Sequence, residues 1–120
     1  MPNAKKIRPV NSLIFISDPV GGVVPEWRDA LILSTSSCIS VGCYREQDGP
    51  TEVVLGDAQD VDPGISPAFD GDLETPHREV AVSTVEGSKI LQSRVPETHT
   101  RVRVWVSHPR WPDKVIVGLG

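Results

Sequence analysis

Six carboxylates crowd one stretch of the chain: Asp57, Asp60, Asp62, Asp70, Asp72 and Glu74. Carboxylates and carbonyls at such spacing are what a calcium ion takes up, roughly six to eight oxygens at a time. Asp70-Gly71-Asp72-Leu73-Glu74 has a suitable alternation, but the EF-hand order of ligands and glycine is absent. The same acids could instead meet the cationic cleft of a protein partner, where charge complementarity speeds encounter and favours that partner over others. A third reading is a solvated loop that keeps the protein soluble. Residues 57–76 contain no Lys, Arg or His, and they hold three prolines and two glycines. That composition predicts a long acidic surface loop, and long loops in compact domains are often functional.

Other reactive residues give less. His77, His99 and His108 stand 22 and 9 residues apart, which matches no local zinc motif. If the strand between His99 and His108 is extended, about 30 Å separates them. No metal or cofactor site is expected. Ser34, Ser36, Ser37 and Ser40 cluster around a turn without a Gly-x-Ser-x-Gly elbow. A Cys–His pair, Cys43 with His77 or His108, would need spatial contact to act as a nucleophile, and cysteine on a strand usually behaves as a small hydrophobe. The chain therefore reads as non-enzymatic. Cys38 and Cys43 are the only cysteines. Five apart in one expected strand, they point to opposite faces and should stay free. Free thiols suit a reducing compartment, so the expected location is cytoplasmic.

The three tryptophans are more suggestive. Trp105 falls on the outward parity of its strand, between Arg103 and Ser107, and Trp111 in a turn between prolines. Exposed Trp beside Arg is the composition of an interface hot spot. The competing reading is that a crossing loop covers them or that Arg stacks on them. Trp105 and Trp111 join the six acids as candidate partner-binding residues, whereas Trp27, next to Arg28, is expected to anchor the core. Arg101, Arg103, Arg110 and Lys114 form a basic patch. It is either an ion-paired sheet face of little energetic weight, or the counterpart of the acidic loop on a second copy, which would give a homodimer.

These residues must be held by strands. Val, Ile and Leu number 17, 8 and 7 against five Ala and one Met, and β-branched residues at that density favour β-structure. Residues 100–107 alternate most clearly, with Val102, Val104 and Val106 inward. Further strands are expected at 11–17, 30–34, 38–45, 51–56, 77–85, 89–95 and 114–119. Glu46–Pro50 has the turn chemistry of a hairpin joining two of them. About eight short strands without an amphipathic helix predict an all-β fold, a two-layer antiparallel β-sandwich, with a closed barrel as the alternative. Residues 1–10, with three bases and two prolines, read as a flexible arm, and 11–120 as one domain carrying the acidic loop at 57–76. The net charge of −4 argues against nucleic acid as a partner. The longest apolar runs, Leu13–Ile16 and Ala30–Leu33, fall far below the roughly 20 residues of a membrane span.

The layout resembles the ComJ-like competence protein family. The resemblance runs from about residue 11 to 119. It is carried by the strand ending in Ile16-Ser17-Asp18-Pro19, by Pro25-Glu26-Trp27-Arg28-Asp29, by the strand Ser37-Cys38-Ile39-Ser40-Val41-Gly42, and by the final hairpin from Arg101-Val102-Arg103-Val104-Trp105-Val106 to Val115-Ile116-Val117. The resemblance implies a small β-sandwich whose role is to bind and inhibit a nuclease, without catalysis of its own. On that reading the acids at 57–76 compete with nucleic-acid phosphate for a cationic cleft. The competing classes are a calcium-dependent binding domain built on the same segment and a structural β-sandwich of unknown role.

Overall fold

A computed structural model describes residues 2–120. Ten strands form two five-stranded sheets packed face to face. In chain order they are β1 (Asn3–Ile7), β2 (Leu13–Ser17), β3 (Ile32–Ser34), β4 (Cys38–Gly42), β5 (Thr51–Asp57), β6 (Phe69–Glu74), β7 (Glu79–Thr84), β8 (Lys89–Arg94), β9 (His99–Val106) and β10 (Lys114–Leu119). One short helix, α1 (Ala58–Val61), follows β5. Sheet A has the order β1-β5-β10-β9-β6 and sheet B the order β3-β4-β2-β7-β8. The fold is thus an all-β sandwich, antiparallel except where β10 runs parallel to β5.

The period-2 pattern decides which side chains meet between the layers. From sheet B come Ile14, Ile16, Ile39, Val41, Val80 and Val82. From sheet A come Val53, Leu55, Val102, Val104, Val115 and Val117, and all twelve are 0% exposed. Each such side chain contributes roughly 1.5–3 kcal/mol relative to an exposed position. Cys43 joins this core, and Cys38 is buried on β4; both thiols are free.

Three expectations need correction. There are ten strands where about eight were expected, and the two additional ones come from segments expected to be loops. The arm at 1–10 contains β1, which pairs with β5 from Asn3↔Leu55 to Ile7↔Thr51. Its residues are exposed apart from the half-buried Ile7, so backbone pairing holds it and no apolar face advertises it. The acidic segment contains β6, paired with β9. There Asp70, Asp72 and Glu74 take the outward parity and Leu73 the core side. Third, residues 38–45 and 51–56 do not form a hairpin. β4 lies between β3 and β2, while β5 lies between β1 and β10. The connection at 43–50 crosses from one layer to the other. Its first amides are held by partners remote in sequence: Cys43 N–H donates to Ser12 O and Tyr44 N–H to Pro112 O, both at 2.8 Å.

Candidate partner-binding site

The acidic segment is an ordered crossover on the outer face of sheet A. Asp57 closes β5, and α1 then packs against β5 and β10. The chain passes over β9, where Trp105 Nε1–H donates to the carbonyl of Ile65 at 2.8 Å. It rejoins the sheet when Ala68 N–H donates to Val104 O at 2.7 Å. Trp105 does point outward from its strand, as its parity required. The crossover covers it, however, and leaves it 3% exposed. The face of Trp105 is therefore occupied by its own chain and is withdrawn as an anchor for a partner.

All six acids are exposed, but they are not equivalent. Asp70 is bound by Arg101 through two bonds, Nε–H to Oδ1 at 2.9 Å and Nη2–H to Oδ2 at 2.7 Å. These hydrogen bonds hold the Asp70 carboxyl below its ordinary range and push Arg101 further up. Asp62 folds back on its own loop and accepts the Gly64 N–H at 2.7 Å. Asp57, Asp60, Asp72 and Glu74 have no cation within 4.0 Å among the described residues. Among the described residues, no three His, Cys, Asp or Glu side chains gather to hold a metal ion.

The basic patch is largely engaged within the chain. Arg101 takes Asp70, Arg103 Nη2–H donates to Gly120 O at 2.7 Å, and Lys114 lies 3.6 Å from Glu52. Arg110 stands apart from them, in the β9–β10 loop.

Sequence reasoning missed a buried carboxylate. Asp18, at the end of β2, is 2% exposed. Its Oδ2 accepts the His77 backbone N–H at 2.8 Å, and its Oδ1 accepts the Val20 N–H at 3.1 Å and lies 2.9 Å from His77 Nδ1. Burial pushes this carboxyl up, but the bonds from His77 and Val20 outweigh it and hold the group below its ordinary value. The geometry needs the turn Thr75–Arg78, closed by Arg78 N–H donating to Thr75 O at 2.8 Å. Asp18 and His77 lie 59 residues apart, so only Asp18-Pro19 as a turn was readable locally.

Three of the other candidate nucleophiles, Cys38, Cys43 and Ser37, are engaged within the fold. Burial pushes the Cys38 thiol up to about 11 and that of Cys43 up to about 12. Ser37 Oγ accepts the Val23 N–H at 2.8 Å, and Thr35 Oγ1–H donates to Val23 O at 2.6 Å. These bonds pin the segment between β2 and β3 to the β3–β4 turn. That segment carries Trp27, which is 83% exposed and not in the core as expected.

Trp27 borders a groove of about 560 Å³ on the outer face of sheet B. Leu33, Ser40 and Phe15 occupy one cross-strand row of its floor. The floor is low at β4, where Ser40 and Gly42 face the groove. A Cβ at Gly42 would stand 2.9 Å from Leu31 Cδ1, so glycine lets Leu31 seat against the strand. Pro109–Trp111 complete the lining. Trp111 remains 42% exposed, with the Arg45 guanidinium 4.4 Å over its ring. None of the six acids lines this groove; the candidate acids and Trp111 are not brought together.

The class of protein so defined is a two-layer β-sandwich with carboxylates on one layer and an apolar groove on the other. No protein-family model and no curated protein matches the chain. Among solved structures it is similar to the crystal structure of ComJ, inhibitor of the DNA degrading activity of NucA, from Bacillus subtilis. The TM-score is 0.66 at 11% sequence identity, covering 99% of this chain and 93% of that one. At this identity the likeness is one of fold.

Proposed function

We propose that this chain is a non-enzymatic module that binds a nuclease and inhibits it. The observation that carries this reading is the likeness to ComJ, which extends over 99% of the chain. The carboxylates are consistent with it. Asp57, Asp60, Asp72 and Glu74 are exposed and free of in-chain cations among the described residues, on a chain of net charge −4. They can oppose the cationic cleft with which a nuclease holds phosphate. Asp72 and Glu74 lie on one face of β6, about 6.8 Å apart along the strand. Carboxylates so placed speed encounter and fix orientation more than they add raw affinity.

The test is a pull-down from host lysate at low salt, eluted with a salt step and assayed for DNA degradation after dissociation. A nuclease in the eluate, absent when Asp57, Asp60, Asp72 and Glu74 are changed to Asn or Gln, is the expected result. An eluate without nuclease, from folded bait, overturns the proposal.

A further inference from the structure

Six large apolar side chains stand exposed among the described residues, and four of them (Val20, Val23, Val24 and Trp27) belong to the one segment that borders the sheet B groove. Soluble proteins rarely leave contiguous apolar surface open without a use for it. The groove's volume of about 560 Å³ lies within the rough 300–1,000 Å³ range of ligand sites. Its floor is built of paired strands and one wall is braced by Arg45 on Trp111, so an occupant need not pay to order it.

Charge selects the occupant. The charged residues of the lining are Arg28, Asp29 and Arg110, and none of the three has an ion-pair partner within 4.0 Å among the described residues. Arg45 adds a further positive charge behind Trp111. With Arg45 the groove carries three cations against one carboxylate, a net positive site on a negative chain. A second copy docked groove to groove would set net positive against net positive charge, and a cationic partner would be repelled.

We propose that the groove receives an extended protein segment whose apolar side chains are flanked by carboxylates. The apolar side chains lie over Phe15 and Leu33 between the two tryptophans, and the carboxylates meet Arg28 and Arg110. This surface lies on the opposite layer from the acids assigned to the nuclease, and the inference stands whether or not that reading holds.

The probes are two fluorescein-labelled decapeptides, one alternating Leu or Trp with Asp or Glu, the other with Lys replacing every acid. Fluorescence anisotropy at low salt reads binding to the intact protein. The acidic peptide is expected to bind saturably, and the Lys peptide roughly tenfold or more weakly. Trp27→Ala and the double variant Arg28→Glu/Arg110→Glu are each expected to weaken the acidic peptide by about tenfold. These residues are exposed, so unchanged melting temperatures verify that the variants fold. No saturable binding of the acidic peptide overturns the proposal, as does binding indifferent to both variants. Sedimentation showing a wild-type dimer that Trp27→Ala dissociates would overturn it in favour of a second copy. A chain with Asp57, Asp60, Asp72 and Glu74 neutralised should bind the acidic peptide as the wild type does, which separates this site from the nuclease-binding acids.

Discussion

Replacing Asp18 by Ala or Asn should be among the most damaging single changes to a polar residue. The carboxylate is 2% exposed and lies within bonding distance of three nitrogens: the amides of His77 and Val20 and the imidazole of His77. Alanine leaves these donors without their acceptor. The imidazole can turn to water, because the His77 side chain is 59% exposed, so the main loss falls on the two backbone amides. Hydrogen bonds to a charged group are worth roughly 1.5–3 kcal/mol each, less the cost of having buried the charge, which places the net loss near 3 kcal/mol. At roughly 2.1 cal/mol/K per residue the unfolding entropy of this chain is about 0.25 kcal/mol/K, so the melting temperature should fall by about 12 °C. Asparagine keeps one oxygen but turns an N–H₂ toward one of the donors, and should cost nearly as much. The pH dependence has a definite sign. The Asp18 carboxyl titrates below its ordinary 3.8 in the folded chain. Its contribution is therefore present above the unfolded value and lost as pH falls through the lower folded value. Urea unfolding, followed by fluorescence, should show a gap between wild type and Asp18→Asn that is constant over the near-neutral range and narrows below about pH 4. A gap at neutral pH below about 0.5 kcal/mol, the size of an ordinary surface substitution, would refute the argument, as would one that does not narrow in acid.

Three further outcomes are expected. Gly118→Ala would set its Cβ 2.9 Å from Trp105 Cζ3 and 3.1 Å from the backbone Cα of Ala58; it should destabilise by about 1–3 kcal/mol and raise the accessibility of Trp105 to acrylamide quenching. Cys38 and Cys43, with thiols pushed up to about 11 and about 12, should be silent to a disulfide reagent near neutral pH and both react once urea unfolds the chain. Calcium at millimolar level should leave the melting temperature within about 1 °C of that in chelator, because a site binding only the folded chain would raise it; a larger rise that chelator reverses would return the acids to metal binding.

The strands that bury a full face were legible. Val102 and Val104, Val115 and Val117, and Val80 and Val82 alternate in the sequence as they do between the sheets. Strands without such a face were hidden: β1 exposes nearly all its residues, and β6 places three acids outward, so alternation that signalled a strand looked like a ligand loop. Turn-forming residues at 46–50 fixed where the chain bends and not which strands it joins, because a crossover and a hairpin use the same turn residues. The parity of Trp105 was correct, yet its exposure depended on a crossover that no local pattern announces. Trp27 lies in an irregular segment, where no periodicity states which way a side chain faces. The two elements of the Asp18 clamp are remote in sequence and become neighbours only when β2 pairs with β7. The groove was invisible for a related reason: it exists because two small residues on β4 lie between larger ones contributed by other strands.

The placement of β10 sets an order of assembly. Every strand of sheet B has been synthesised by Arg94, whereas sheet A needs the final strand, Lys114–Leu119, between β5 and β9. A chain lacking β10 leaves β1 and β5 cut off from β9 and β6, with open edges and without the Val115 and Val117 side of the core. Such surfaces are where aggregation starts in partly made proteins. Stalled or truncated products ending before residue 114 should thus be substrates for chaperones and proteases rather than smaller functional versions of the protein.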